Sequence, residues 1–252
     1  MTGMWIVIGG LIVVAVGLVI VLAGMCRKVD VLRKKQKQYH DIVNQSLETF
    51  AHAIDAKDQN TNGHSQRVAI YSAEIAKRMG MSDEEQEQIY YMGMLHDIGR
   101  RVGIVNIPQH VYEGYKYAIT KGWDEVARVC MTHSYPLMKD EFDYIPETEE
   151  EIAIKEYIMN CQADDYDKLI QIADALATDY GFVILEKRFV DVTRRYGIME
   201  NYIKGWEITF QNKEYFEQQM GCSIYDVLPD IEKTTLLCPT PWKPKNTGCE
   251  EN

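Results

Sequence analysis

Met1–Cys26 lacks any charged side chain, and the whole chain lacks the patterns that announce several common classes. Its six cysteines (Cys26, Cys130, Cys161, Cys222, Cys238, Cys249) form no C-x-x-C pair and no regular spacing. They read as reduced cytosolic residues and exclude a disulfide scaffold and a zinc knuckle. No internal repeat, no Gly-rich phosphate loop and no sustained period-two alternation occurs, which leaves an all-α body as the expected fold class. Positive charge is scarce beyond residue 40: from Asp41 onward 21 basic residues face 37 acidic ones, a net of −16. So acidic a body repels polyanions, which excludes a nucleic-acid polymer as partner. It leaves open a small phosphorylated ligand in a locally basic pocket.

What the N-terminus does contain is apolar. Met4–Met25 is Ile, Val, Leu, Gly and Ala with one Trp. At about 1.5 Å per residue this is roughly 33 Å of helix, enough to cross a bilayer. A cleaved signal peptide is the alternative, but no Lys or Arg precedes the run and no A-x-A site follows it. Arg27, Lys28, Arg33, Lys34, Lys35 and Lys37 follow at once, against Asp30 alone. By the positive-inside rule the expected topology is a single-pass membrane protein with its C-terminal domain in the cytoplasm. Tyr39, Ile42, Val43, Ser46, Leu47, Phe50 and Ile54 continue at helical steps. This juxtamembrane helix lies along anionic lipid or pairs two chains as a homodimer, and its sequence does not choose between them.

The body repeats the helical period. Val68, Ser72, Ile75, Ala76 and Met79 share a face that ends at Gly80, and Ser82-Asp83-Glu84-Glu85 opens a second helix with a capping box, running to Ile98. Further helices are predicted over Trp123–Met131, Thr148–Met159, Asp165–Asp179, Phe182–Tyr196 and Asn212–Met220. The expected organisation is a transmembrane helix over 4–26, a basic juxtamembrane helix over 27–44, a main helical domain over 45–205, a helical extension over 206–236 and a disordered tail over 237–252.

Some polar residues are wrong for a core. His96 lies three, four and seven residues after Gly93, Met92 and Ile89, on the apolar stripe, with Asp97 beside it. Asp174 sits mid-helix in Leu169-Ile170-Gln171-Ile172-Ala173-Asp174-Ala175-Leu176. A buried carboxylate requires a cation or strong donors. His64 and His133 stand at element ends, where a side chain projects into a cleft. A lone buried histidine is more often a satisfied core residue than a ligand, yet His64, His96, Asp97 and Asp174 together offer two imidazoles and two carboxylates from three helices. Such nitrogen and hard oxygen donors without thiolate suit Mn²⁺, Fe²⁺, Co²⁺ or Mg²⁺ better than a structural zinc.

The segments Asn60-Thr61-Asn62-Gly63-His64-Ser65-Gln66-Arg67-Val68, Leu95-His96-Asp97-Ile98-Gly99-Arg100 and Ile172-Ala173-Asp174-Ala175-Leu176 resemble the H…HD…D signature of the HD-domain metal-dependent phosphohydrolase superfamily. The resemblance implies an HD-domain helical bundle, hydrolysis of phosphate esters, most often of nucleotides, and His64, His96, Asp97 and Asp174 as metal ligands. Two-metal members add further histidines. His133 resembles the first of these, but the second, sought near Ile158–Gln162, is absent, so one metal site is expected and His133 is assigned to the outer shell or to phosphate. The G-Y-P motif of the cyclic-di-GMP branch is also absent, and Arg100, followed by Arg101, stands where Lys commonly follows the His-Asp-Ile-Gly segment. The catalytic residues implied are Asp97, Arg100 and His133, and the substrate-binding residues are Arg67, Arg100 and Arg101. Arg67 is alternatively a surface partner of Glu74, and Lys187, Arg188, Arg194 and Arg195 are alternatively a solvated helix face. The expected function is a membrane-anchored phosphohydrolase acting on a nucleotide or related small phosphoester. A non-catalytic HD signalling or scaffold protein is the alternative.

Overall fold

The structure, a computed structural model, describes residues 2–56, 63–103, 106–136, 146–198 and 202–236. Its chain divides into two units, Met1–Glu48 and Thr49–Asn252. The first consists of most of helix α1 (Thr2–Asp55), whose described side chains between Gly9 and Val43 are exposed. One 18-residue window of α1 reaches a mean hydropathy of 2.7, and the helix is long and apolar enough to cross a membrane.

Among its described residues the second unit is helical apart from one short hairpin. Its helices are α2 (His64–Arg78), α3 (Asp83–Leu95), α4 (Ile107–Lys121), α5 (Asp124–Thr132), α6 (Glu149–Asn160), α7 (Asp165–Leu176), α8 (Leu185–Tyr196), α9 (Tyr202–Met220), α10 (Ile224–Val227) and α11 (Ile231–Leu236). A 3₁₀ turn over Ile98–Val102 follows α3. The expected capping box forms at α3, where the Ser82 hydroxyl accepts from Glu85 N (3.3 Å) and Glu85 Oε2 accepts from Ser82 N (2.7 Å).

Several expected bounds required correction: α3 stops at Leu95 and not Ile98, and the helix expected over Asn212–Met220 starts at Tyr202. Asp165–Asp179 and Phe182–Tyr196 are not continuous helices: α7 stops at Leu176, and Ala177–Thr178 (β1) pairs antiparallel with Gly181–Phe182 (β2). Asp179 and Tyr180 form the turn, and Gly181, the first residue of β2, takes φ +144°, a conformation few other residues adopt. Helix α4 was not anticipated at all. Its Pro108, Gly114 and β-branched Ile107, Val111, Ile119 and Thr120 are weak helix formers, so packing overrides propensity. A capping box between Asn106 and Gln109 starts it. The expected tail over 237–252 lies outside the described residues.

The main core joins Val68, Ile75 and Ala76 of α2, Ile89 and Met92 of α3, Leu169, Ile172 and Leu176 of α7, and Phe216 of α9. A smaller core joins Val111 of α4, Met131 of α5, and Ile154 and Ile158 of α6. Ile158 thus fills an apolar site at the segment where a further histidine was sought.

Candidate metal centre

Two glycines bring the ligand-bearing backbones together. A Cβ on Gly93 would stand 2.6 Å from Ala69 Cα, so α2 and α3 touch there as only glycine permits. His64 starts α2 and His96 caps α3, and their rings come within 5.4 Å, centroid to centroid. A Cβ on Gly99 would lie 1.7 Å from the His110 carbonyl oxygen, so α4 crosses directly over the 3₁₀ turn and delivers His110.

The first ligand set converges on one carboxylate oxygen. His64 Nε2 lies 2.8 Å and His96 Nε2 3.7 Å from Asp174 Oδ1, and His96 Nε2 lies 3.9 Å from Asp97 Oδ2. Upstream, Asp55 accepts from the Ser65 amide (3.2 Å) and hydroxyl (2.9 Å), which fixes the first turn of α2 beside His64. Of a second set only His133 was expected, as a residue resembling the first further histidine of two-metal members. Asp97 Oδ1 lies 3.2 Å from His110 Nε2 and 3.5 Å from His133 Nε2, and the two nitrogens are 3.1 Å apart. Asp97 belongs to both groups, His64/His96/Asp97 and Asp97/His110/His133, each close enough to hold one ion. Where one site is expected from the sequence, the described residues offer two groups that could each hold an ion.

The histidines are oriented for this. His96 Nδ1 faces Gly93 O (2.6 Å), His110 Nδ1 faces Asn106 O (3.1 Å), and His133 Nδ1 faces Val129 O (3.1 Å) and Cys130 O (3.0 Å). A ring nitrogen that close to a carbonyl is the protonated one, which turns the Nε2 lone pair inward, as metal-binding histidines require. Buried His96 Nε2 and Asp97 Oδ1 make no hydrogen bond. Ligand atoms that converge without hydrogen-bond partners in a buried site favour a cation between them, and imidazole with carboxylate suits a divalent transition metal.

The electrostatics differ between the sets. Burial opposes a charge on His96, but the Asp97 and Asp174 carboxylates outweigh it and lift this imidazole to about 9. His110 goes the other way: burial, aided by Arg100 and His133 against Asp97, pushes it down to about 3 and keeps it neutral. Burial works against both aspartates as anions, yet His96, Arg100 and His110 around Asp97, and His64 and His96 around Asp174, hold both carboxyls well below the usual range.

The other expected site residues fall as follows. Arg100 Nε donates to Asp97 Oδ2 at 2.7 Å, which leaves Oδ1 facing His110 and His133. Arg101 turns to α4, donating to Glu113 O (3.2 Å) with its guanidinium 4.3 Å from the Tyr117 ring centre. Arg67 lies against Gly63 at the start of α2, and Glu74 pairs with Arg78 at 3.0 Å. Lys187 reaches α11, donating to Thr234 O (3.2 Å) and Thr235 O (2.6 Å).

The model of the HD domain family matches residues 61–179, which include every histidine and aspartate of both sets. This segment is an HD domain. Over 51 residues the chain is 44% identical to 3′3′-cGAMP-specific phosphodiesterase 1 of Vibrio cholerae, a match that covers 20% of this chain and 12% of the relative. Phosphodiesterase 3 of the same specificity and organism is 40% identical over 57 residues, 23% of this chain and 12% of the relative. The cyclic di-GMP phosphodiesterase of Thermotoga maritima is 30% identical over 94 residues, 36% of this chain and 24% of the relative. The chain thus spans a quarter or less of the length of these curated relatives. No solved structure matches.

Proposed function

We propose that this chain is a membrane-anchored, metal-dependent phosphohydrolase that cleaves a nucleotide phosphoester with two divalent ions. His64, His96, Asp97 and Asp174 hold one ion, and Asp97, His110 and His133 hold the other. The observation that carries the reading is the shared Asp97: a carboxylate between two inward-facing histidine sets is the arrangement of a paired-metal site. The relatives, named as phosphodiesterases of cyclic dinucleotides, support a nucleotide phosphodiester as the substrate class.

When bound, divalent ions supply Lewis acidity that polarises a phosphoryl oxygen and acidifies water. The chain supplies the rest. Arg100 pins one oxygen of Asp97 and so fixes the direction of the other. Gly93, Gly99 and the Nδ1 contacts set the rings before any substrate arrives, so little reorganisation is left for the reaction. Arg67 and Arg100 are the cations assigned to the substrate phosphate within an acidic body. The apolar part of α1 is assigned to the bilayer, with the Arg27–Lys37 collar on the cytoplasmic side.

The test is hydrolysis by the full chain in detergent with Mn²⁺ or Fe²⁺, over mononucleotides and linear and cyclic dinucleotides, against Asp97→Ala. Turnover of a nucleotide phosphoester that Asp97→Ala abolishes is the expected result. Tight metal binding with no turnover across the panel would overturn the enzymatic reading in favour of the signalling scaffold.

A further inference from the structure

Asp167, Gln171 and Asp174 follow one another along a single face of α7, at steps of four and three residues. Asp174 belongs to the first ligand set, and the other two grip α5, whose end carries His133. Gln171 Nε2 donates to Thr132 O at 2.9 Å and to Tyr135 O at 3.0 Å. These carbonyls flank His133 in the chain, at the end of a helix whose last carbonyls lack partners within it. Asp167 is fully buried and accepts from the Thr132 hydroxyl (2.9 Å), from Arg128 Nε (3.2 and 3.1 Å to its two oxygens) and from the Asp164 amide (3.1 Å). Arg128 also reaches Gln162 O (2.8 Å) and Asp164 Oδ2 (2.8 Å).

Apolar packing would bury this seam without removing a carboxylate and an amide from water. Directed bonds to the backbone on both sides of His133 do what apolar contact does not: they set the ring's height and rotation. We propose that Gln171 and Asp167 are positioning residues for the second ligand set, through which α7 places His133 relative to Asp174. This rests on the two-metal reading above.

The experiment titrates Mn²⁺ into the full chain in detergent, with bound metal followed by electron paramagnetic resonance, for the wild type, Gln171→Glu and Gln171→Met. Glutamate keeps the shape and turns an acceptor toward two carbonyls, and methionine keeps the volume without a donor. Both variants should bind the first equivalent as the wild type does and the second at least ~10-fold more weakly, the usual scale for an outer partner of a ligand. In the metal-free protein with ¹⁵N-labelled histidines, the ring signals of His133 and His110 should shift in both variants while those of His64 and His96 stay. An unshifted His133 in a folded variant, or an unchanged second Mn²⁺ affinity, overturns the proposal. A wild type that binds fewer than two Mn²⁺ overturns the two-metal reading instead, and the metal-free ring signals still decide the positioning claim.

Discussion

His64, His96 and Asp174 hang on α2, α3 and α7, which the main core locks together through Val68, Ile75, Ile89, Leu169 and Leu176. His110 and His133 hang on α4 and α5, tied to α6 by the smaller core of Val111, Met131, Ile154 and Ile158. The donor atoms of the two sets are alike, but what holds them is not. In the first, helix packing aligns the ligands. In the second, a smaller core is supplemented by close backbone approaches at Gly99 and Gly114 and by polar bonds from α7. The same chemistry can thus be fixed by burying area or by directing a few bonds, and the two respond differently to mutation.

The largest expected effect removes the element common to both. Asp97→Ala should lose both metal equivalents and reduce hydrolysis by more than ~100-fold, beyond the loss an outer partner causes, measured by metal analysis beside the rate. Retention of either equivalent would break the symmetry argued for Asp97. Next, His110→Ala should lose only the second equivalent and His64→Ala only the first.

Gly99→Ala should act on the second set alone, because the added methyl meets His110 O and pushes α4 away. Urea unfolding should show a cost of about 1–3 kcal/mol, as overpacking gives, with the first equivalent still bound.

Proton release separates the sets without mutation. His96, raised to about 9, carries a proton at pH 7 that a metal must displace, so uptake at the first set should release about one proton and weaken as pH falls below 9. His110, pushed down to about 3, has none to release. Titration calorimetry in two buffers of different ionisation enthalpy reads the difference.

The smallest effect sets a reference outside both sets. Burial opposes ionisation of Glu217, but Lys213, the Ser223 hydroxyl and the Ile224 amide outweigh it and lower its pKa. Its contribution is therefore present above the ordinary carboxylate range and lost as pH falls through the lowered value. Glu217→Gln should cost about 1 kcal/mol at pH 7, less at pH 3, and leave metal stoichiometry unchanged.

The first set was legible because its residues break local rules: His96 and Asp97 close an apolar stripe, and Asp174 interrupts one. The second was legible only at His133, which resembles the first further histidine of two-metal members; His110 lay in a segment whose Pro108, Gly114 and β-branched residues hid the helix that carries it. One signal was available: Asn106 and Gln109 form a capping box, and His110 then shares a face with Gly114 and Ala118. The β1–β2 hairpin was hidden for a similar reason, since Ala175 and Leu176 continue the helical period up to the residue where the backbone turns.

The central claim is that two ions share Asp97. Diffraction from crystals of the Mn²⁺-loaded protein at the manganese edge tests it most directly. Two anomalous peaks should flank the Asp97 carboxylate, one against His64, His96 and Asp174 and the other against His110 and His133. A single peak at the first set, with His110 and His133 bound only to one another and to Asp97, would contradict it.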